Sequence, residues 1–95
     1  MSATTQVTEA EIWMRVIQAE KGDLSAEAAR EWLRLRLSNA DVERVHDLSQ
    51  KADEGDLTKQ EEKELDAFLH VGSVLELLQA KARLSLKKNK TPAGN

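Results

Sequence analysis

Ninety-five residues, 33% charged and 40% hydrophobic, suffice for one modest core, at a size where a partner often completes the burial. The lack of cysteine excludes disulfides and thiolate metal sites, and two tryptophans, one phenylalanine, one proline and four glycines leave little material for a β-sandwich or a loop-rich enzyme. The net charge of −3 conceals a split: residues 1–76 carry all 17 acids, whereas 77–95 carry the cations Lys81, Arg83, Lys87, Lys88 and Lys90 and no acid.

In chain order, residues 1–7 are mostly polar, have neither the basic nor the apolar region of a signal peptide, and are expected to be flexible. Thr8 and Glu11 have the spacing of a capping box, with Val7 and Ile12 placed as a hydrophobic staple. The helix they open presents Ile12, Trp13, Val16 and Ile17 on one face, and Gly22 is its expected stop. Ser25 caps a second helix over 26–37, with Ala28, Ala29, Trp32, Leu33 and either Leu35 or Leu37 on its apolar side. Both tryptophans read as core anchors. Ser38 and Asp41 repeat the capping-box spacing, flanked by a Leu37–Val42 staple, and open a third helix over 39–54. That helix turns Val42, Val45, Leu48, Ser49 and Ala52 inward, and Gly55 ends it.

Thr58 and Glu61 open the last and longest helix. Leu65, Phe68, Gly72, Leu75, Ala82 and Leu86 fall three and four apart along it, a heptad seam interrupted by Gln79. Leu69, Val71, Val74, Leu77, Leu78 and Leu84 occupy other faces, so most of the helix needs cover. A helix of about 28 residues is about 42 Å long, roughly twice any of its neighbours. Either the three shorter helices share it or a second copy covers its far half, and self-association is expected. Gln79 would then set register, or else sit at an exposed edge, and Gly72 would allow close helix approach, with a hinge as the alternative. The expectation is an all-α fold of four helices, three shorter ones around a long C-terminal helix with no β-sheet, forming a single domain over 8–88. A disordered basic tail is expected over 89–95.

Motifs with chemical content are sparse. Glu43 and His46 match the Glu-x-x-His spacing of helical di-iron sites, but the chain has one such motif and would need Glu27 or Glu31 of a second copy. Asp66 and His70 lie four apart, which a surface ion pair explains. Residues 50–61 resemble an EF-hand loop in Gly55, Leu57 and Glu61, yet Gln50 and Ala52 stand where calcium needs its first oxygen ligands. A chance match is the simpler account in each case, and neither metal nor cofactor is expected. Arg30, Arg34, Arg36 and Arg44 raise the question of a helix-turn-helix, but Glu27, Glu31, Asp41, Glu43 and Asp47 interleave them and would repel phosphates.

From Leu24 onward the chain resembles a family of small bacterial all-helical proteins. The resemblance lies in Leu24-Ser25-Ala26-Glu27-Ala28-Ala29, in Glu54-Gly55-Asp56-Leu57-Thr58 with the acidic turn after it, and in Val71-Gly72-Ser73-Val74-Leu75 through Leu78-Gln79-Ala80-Lys81-Ala82-Arg83. It covers roughly residues 24–88 and is most specific in the last block. Such proteins are loosely associated with genes for HNH-type nucleases, which implies an antitoxin-like or accessory partner role. The resemblance supplies no catalytic residue.

The sequence thus points to a non-enzymatic protein–protein interaction module: an adaptor, antitoxin-like or inhibitor-like protein. Its expected contact surface is the far end of the long helix, with Val74, Leu75, Leu78, Ala82 and Leu86 for burial and Gln79, Lys81 and Arg83 for polar specificity. The partner would be another protein, such as a nuclease encoded nearby, or a second copy. A nucleic-acid accessory role for the basic C-terminal end and a metal-holding helical dimer are the alternatives. No run is long and apolar enough to cross a membrane, and a cytoplasmic location is expected.

Overall fold

The computed structural model describes residues 6–90. It contains four α-helices, α1 (Glu9–Ile17), α2 (Ala26–Leu33), α3 (Asn39–Asp53) and α4 (Lys59–Lys90), with a 3₁₀ turn at Ala19–Lys21 and no strand among the described residues. The shorter helices contact the long C-terminal one, as the apolar breadth of that helix requires.

Each helix begins where a side chain satisfies its free N–H groups. Thr8 and Glu11 form the full reciprocal box at the start of α1, and Thr58 and Glu61 do the same for α4, both bonds at 3.0 Å. Ser25 and Ser38 each accept a bond at 3.1 Å, from the amides of Ala28 and Asp41. The Ser38 box is half made, because the Asp41 side chain is one methylene shorter than the glutamate that closes such a box.

The helix ends depart from expectation in three places. α1 stops at Ile17, not near Gly22, because Gln18 takes a left-handed conformation (φ 52°) and donates its amide to the Met14 carbonyl. Gly22 (φ 53°) terminates the 3₁₀ turn instead. α2 stops at Leu33 and not at 37, since Ser38 must be extended to cap α3 and residues 35–37 leave helical geometry to deliver it. α4 runs to Lys90, so positions 89 and 90 are helical where a disordered tail is expected. The rest of that tail, and the first five residues of the expected flexible N-terminus, lie outside the described residues.

The chain divides into two compact units. One is Leu35–Leu75, holding α3 and the first half of α4. Leu48 is fully buried there, and Val45, Leu65, Phe68 and Leu75 of the same unit are half-buried. Val42, Ser49 and Ala52 are exposed rather than inward: Val42 and Ser49 sit on the shoulder of α3 turned from Leu48, and Ala52, though on the Leu48 face, lies in the last turn of the helix. Arg44 grips Glu64 through two bonds of 2.8 Å and lies 3.9 Å from Glu61, which Lys51 reaches at 2.6 Å, so three ion pairs cross between α3 and α4. The guanidinium of Arg44 holds the Glu64 carboxyl below its ordinary range, and Glu64 in turn raises Arg44. Gly72 has open space where a Cβ would stand, so it does not serve close helix approach.

The other unit takes the described residues up to Arg34 and those from Glu76 onward: α1, the 3₁₀ turn, α2 and the second half of α4. Ile17, Ala29, Ala82 and Ser85 are buried in it. The far half of α4 therefore has cover from its own chain, which removes the length mismatch as an argument for a second copy.

Candidate interaction surface

In this second unit one polar track on α4 grips the chain between α1 and α2. Lys81, Ser85 and Asn89 are spaced four apart and so lie on one face. Lys81 donates its Nζ to the Ile17 carbonyl at 2.7 Å and pairs with the Asp23 carboxylate at 2.9 Å. Ser85 Oγ accepts the Leu24 amide at 3.1 Å and donates to the Lys81 carbonyl at 2.7 Å. Asn89 Nδ2 donates to the Leu24 carbonyl at 3.3 Å and, at 2.8 Å, to the Ser85 carbonyl. Lys88 adds a bond of 2.8 Å to the Lys21 carbonyl. The hydrogen bond from Lys81 keeps the Asp23 carboxyl below its usual range. Gly22 presses against Leu84 so closely that a Cβ would lie 2.6 Å from Leu84 Cγ. A row of polar side chains thus reads backbone groups of a loop, leaving none of its buried side-chain atoms without a partner.

This track decides the fate of the residues expected to meet a partner. Ala82 is fully buried and Lys81 is 8% exposed, both turned into their own unit, so neither presents to a second protein. Val74, Leu75, Leu78, Gln79 and Leu86 are half-buried, and Arg83 is exposed. Ser85 and Asn89 escape sequence reasoning although a signal exists: with Lys81 they are a polar i, i+4, i+8 row.

Exposed apolar surface collects instead on α1. Ile17 alone of that helix is buried. Ile12 is 49% and Val16 67% exposed, four residues apart on one ridge, and Val7 and Met14 are also exposed. Trp13, expected in the core, is 36% exposed and donates its Nε1 to Glu9 at 3.2 Å. Trp32 is half-buried. A nine-residue helix with one anchored side chain leaves both shoulders of its apolar arc to solvent. Glu11 and Arg15 border the ridge on one side and Glu9 on the other.

The other motifs are not brought together. Glu43, His46, Glu27 and Glu31 are all exposed, and among the described residues no three of His, Asp and Glu form a group able to hold a metal. Over 50–61 the chain is the end of α3, a left-handed Gly55 (φ 74°) and the α4 cap. The Glu61 carboxylate, which an EF-hand would give to calcium, is taken by Lys51 and the Thr58 amide. Arg44 is likewise committed to Glu64, and Lys81 and Lys88 to backbone carbonyls, so these three cations serve the fold.

No family model, curated protein or solved structure matches the chain. Among the described residues, no helix is long and apolar enough to cross a membrane.

Proposed function

We propose that this chain is a small non-enzymatic protein–protein interaction module whose contacting element is α1. The observation that carries the reading is the Ile12–Val16 ridge, large β-branched side chains left in water on a helix whose fold anchor is Ile17. Contiguous apolar exposure bordered by charge is the usual mark of a contact site. The most constrained polar groups of the chain, Lys81, Ser85, Arg44 and Glu61, all hold helices and loops in place, a use suited to a scaffold. The contact surface moves from the far end of α4 to α1 because Lys81 and Ala82 are spent internally. An adaptor, antitoxin-like or inhibitor-like role in the cytoplasm belongs to this reading, and the resemblance to bacterial proteins encoded near nucleases names one class of partner. Crosslinking in the native cell, followed by purification of the wild-type chain and of Val16→Lys, tests it. The wild type is expected to carry a specific protein adduct that Val16→Lys loses. Adducts retained equally by both would overturn α1 as the contacting element.

A further inference from the structure

We infer that the Ile12–Val16 ridge of α1 pairs antiparallel with the same ridge of a second copy of this chain. The inference rests on the reading of α1 as a contact helix and adds the identity of what it contacts. Its argument is charge complementarity. Glu11 and Arg15 flank the ridge on one side, and they lie symmetrically about Trp13. A twofold axis near residues 13 and 14 sets Ile12 of one copy against Val16 of the other. In antiparallel helices equivalent flanks face one another, so the same axis sets Glu11 against the partner's Arg15, twice. A parallel pair would instead set opposite flanks against each other, bringing Glu11 beside the partner's Glu9 and leaving Arg15 with no facing acid. The sequence of α1 therefore favours one orientation and opposes the other, which is how charged flanks select helix partners.

The free chain leaves these groups ready. Arg15 makes no ion pair among the described residues, and Glu11 uses Oε1 for the Thr8 amide. On the opposite flank, Glu9 of each copy falls at opposite ends of the pair, while the two Trp13 rings meet near the axis. Antiparallel pairing also sets the positive end of each helix beside the negative end of its mate. An anionic membrane is a poorer occupant, since α1 carries Glu9 and Glu11 against a single Arg15. The paired surface of a nine-residue helix is far below the roughly 800 Å² per partner of a standard interface, so the dimer is weak and concentration-dependent.

Sedimentation velocity from about 10 µM to about 1 mM tests the pairing. The wild type is expected to rise from 10.6 kDa toward twice that mass. Val16→Lys, at an exposed site, keeps its helicity and remains monomeric. Arg15→Glu alone and Glu11→Arg alone each weaken self-association about tenfold or more, because each sets like charges against each other. Mixed one to one, these two variants form a heterodimer, since every facing pair is then opposite in sign. A wild type monomeric throughout, association undiminished by Val16→Lys, or no heterodimer on mixing would each overturn the inference. A monomeric wild type that still crosslinks to another protein through Val16 would leave α1 as a contact helix and remove the second copy alone.

Discussion

Lys81 Nζ lies 2.7 Å from the carbonyl oxygen of Ile17, tying the second half of α4 to the last turn of α1 across 64 residues of sequence. The bond places a cation at a helix C-terminus, where unpaired carbonyls and the helix dipole both favour it. Asp23, 2.9 Å away, balances the charge, so a lysine only 8% exposed retains its partners. Together with Ser85 it makes the Ile17–Leu24 loop an extension of α4.

Replacing Lys81 by Met keeps most of the stem volume and removes the cation. The Ile17 carbonyl then loses its side-chain donor, and the expected loss of stability is about 1–3 kcal/mol. The loss is local in origin. Amide exchange over 14–24 should accelerate well before that of Leu48 and its neighbours, because few buried apolar contacts otherwise hold α1. Equal protection in wild type and Lys81→Met would deny the clamp this role. Ser85→Ala, which strands the Leu24 amide, should reproduce the effect at about 1–2 kcal/mol.

Gly22 and Gly55 both hold left-handed backbone, at φ 53° and 74°, but in different surroundings. At Gly55 nothing stands within 4 Å of an added Cβ, so Gly55→Ala should cost about 1–2 kcal/mol for the backbone conformation alone. At Gly22 the same methyl would strike Leu84 at 2.6 Å, and the combined strain and overpacking should cost about 2–4 kcal/mol. Urea unfolding of the two variants measures the difference. Equal losses would mean that Leu84 moves aside freely.

Gly72 lies in mid-helix with open space at its Cβ position. Gly72→Ala should therefore stabilise the chain by about 0.5–1 kcal/mol, read as a higher urea midpoint at unchanged slope. A destabilised variant would reveal a neighbour covering that face, and with it a contact between copies at the middle of α4.

The capping residues show what was legible in advance. Thr8, Ser25, Ser38 and Thr58 each act on the amide three positions away, so local spacing finds them, and with them all four helix starts. Helix ends were harder. Gln18 ends α1 in a conformation that glycine or asparagine usually supplies, and α2 ends because of where Ser38 must point. Lys81 and Ala82, expected to meet a partner, turn inward for a related reason. Periodicity assigns Ala82 and Lys81 to faces of α4, but which face its own chain covers depends on where the Ile17–Leu24 loop returns, 64 residues away in the case of Ile17 and Lys81. Trp13 shows the converse: an apolar arc identifies the side able to bury, yet α1 buries only Ile17 from it.

Acid should loosen the α3–α4 pairing first. Lys51, and then the Thr58 amide, hold the Glu61 carboxyl at about 2, below its ordinary 4.5. Glu64 is lowered by Arg44 and Asp23 by Lys81. A carboxyl depressed in the folded chain binds fewer protons there than in the unfolded one, so its stabilisation is fully present above the unfolded value. It is lost as pH falls through the folded value. The melting temperature should accordingly be level from neutral pH to about 5, then decline from about 4.5 toward 2. Glu61→Gln removes the partner of Lys51 and should melt lower at neutral pH, but with a shallower decline in acid. Thermal melts of both proteins followed by circular dichroism decide it. Parallel acid limbs would show that Glu61 does not govern the transition and would pass that role to Glu64 and Asp23.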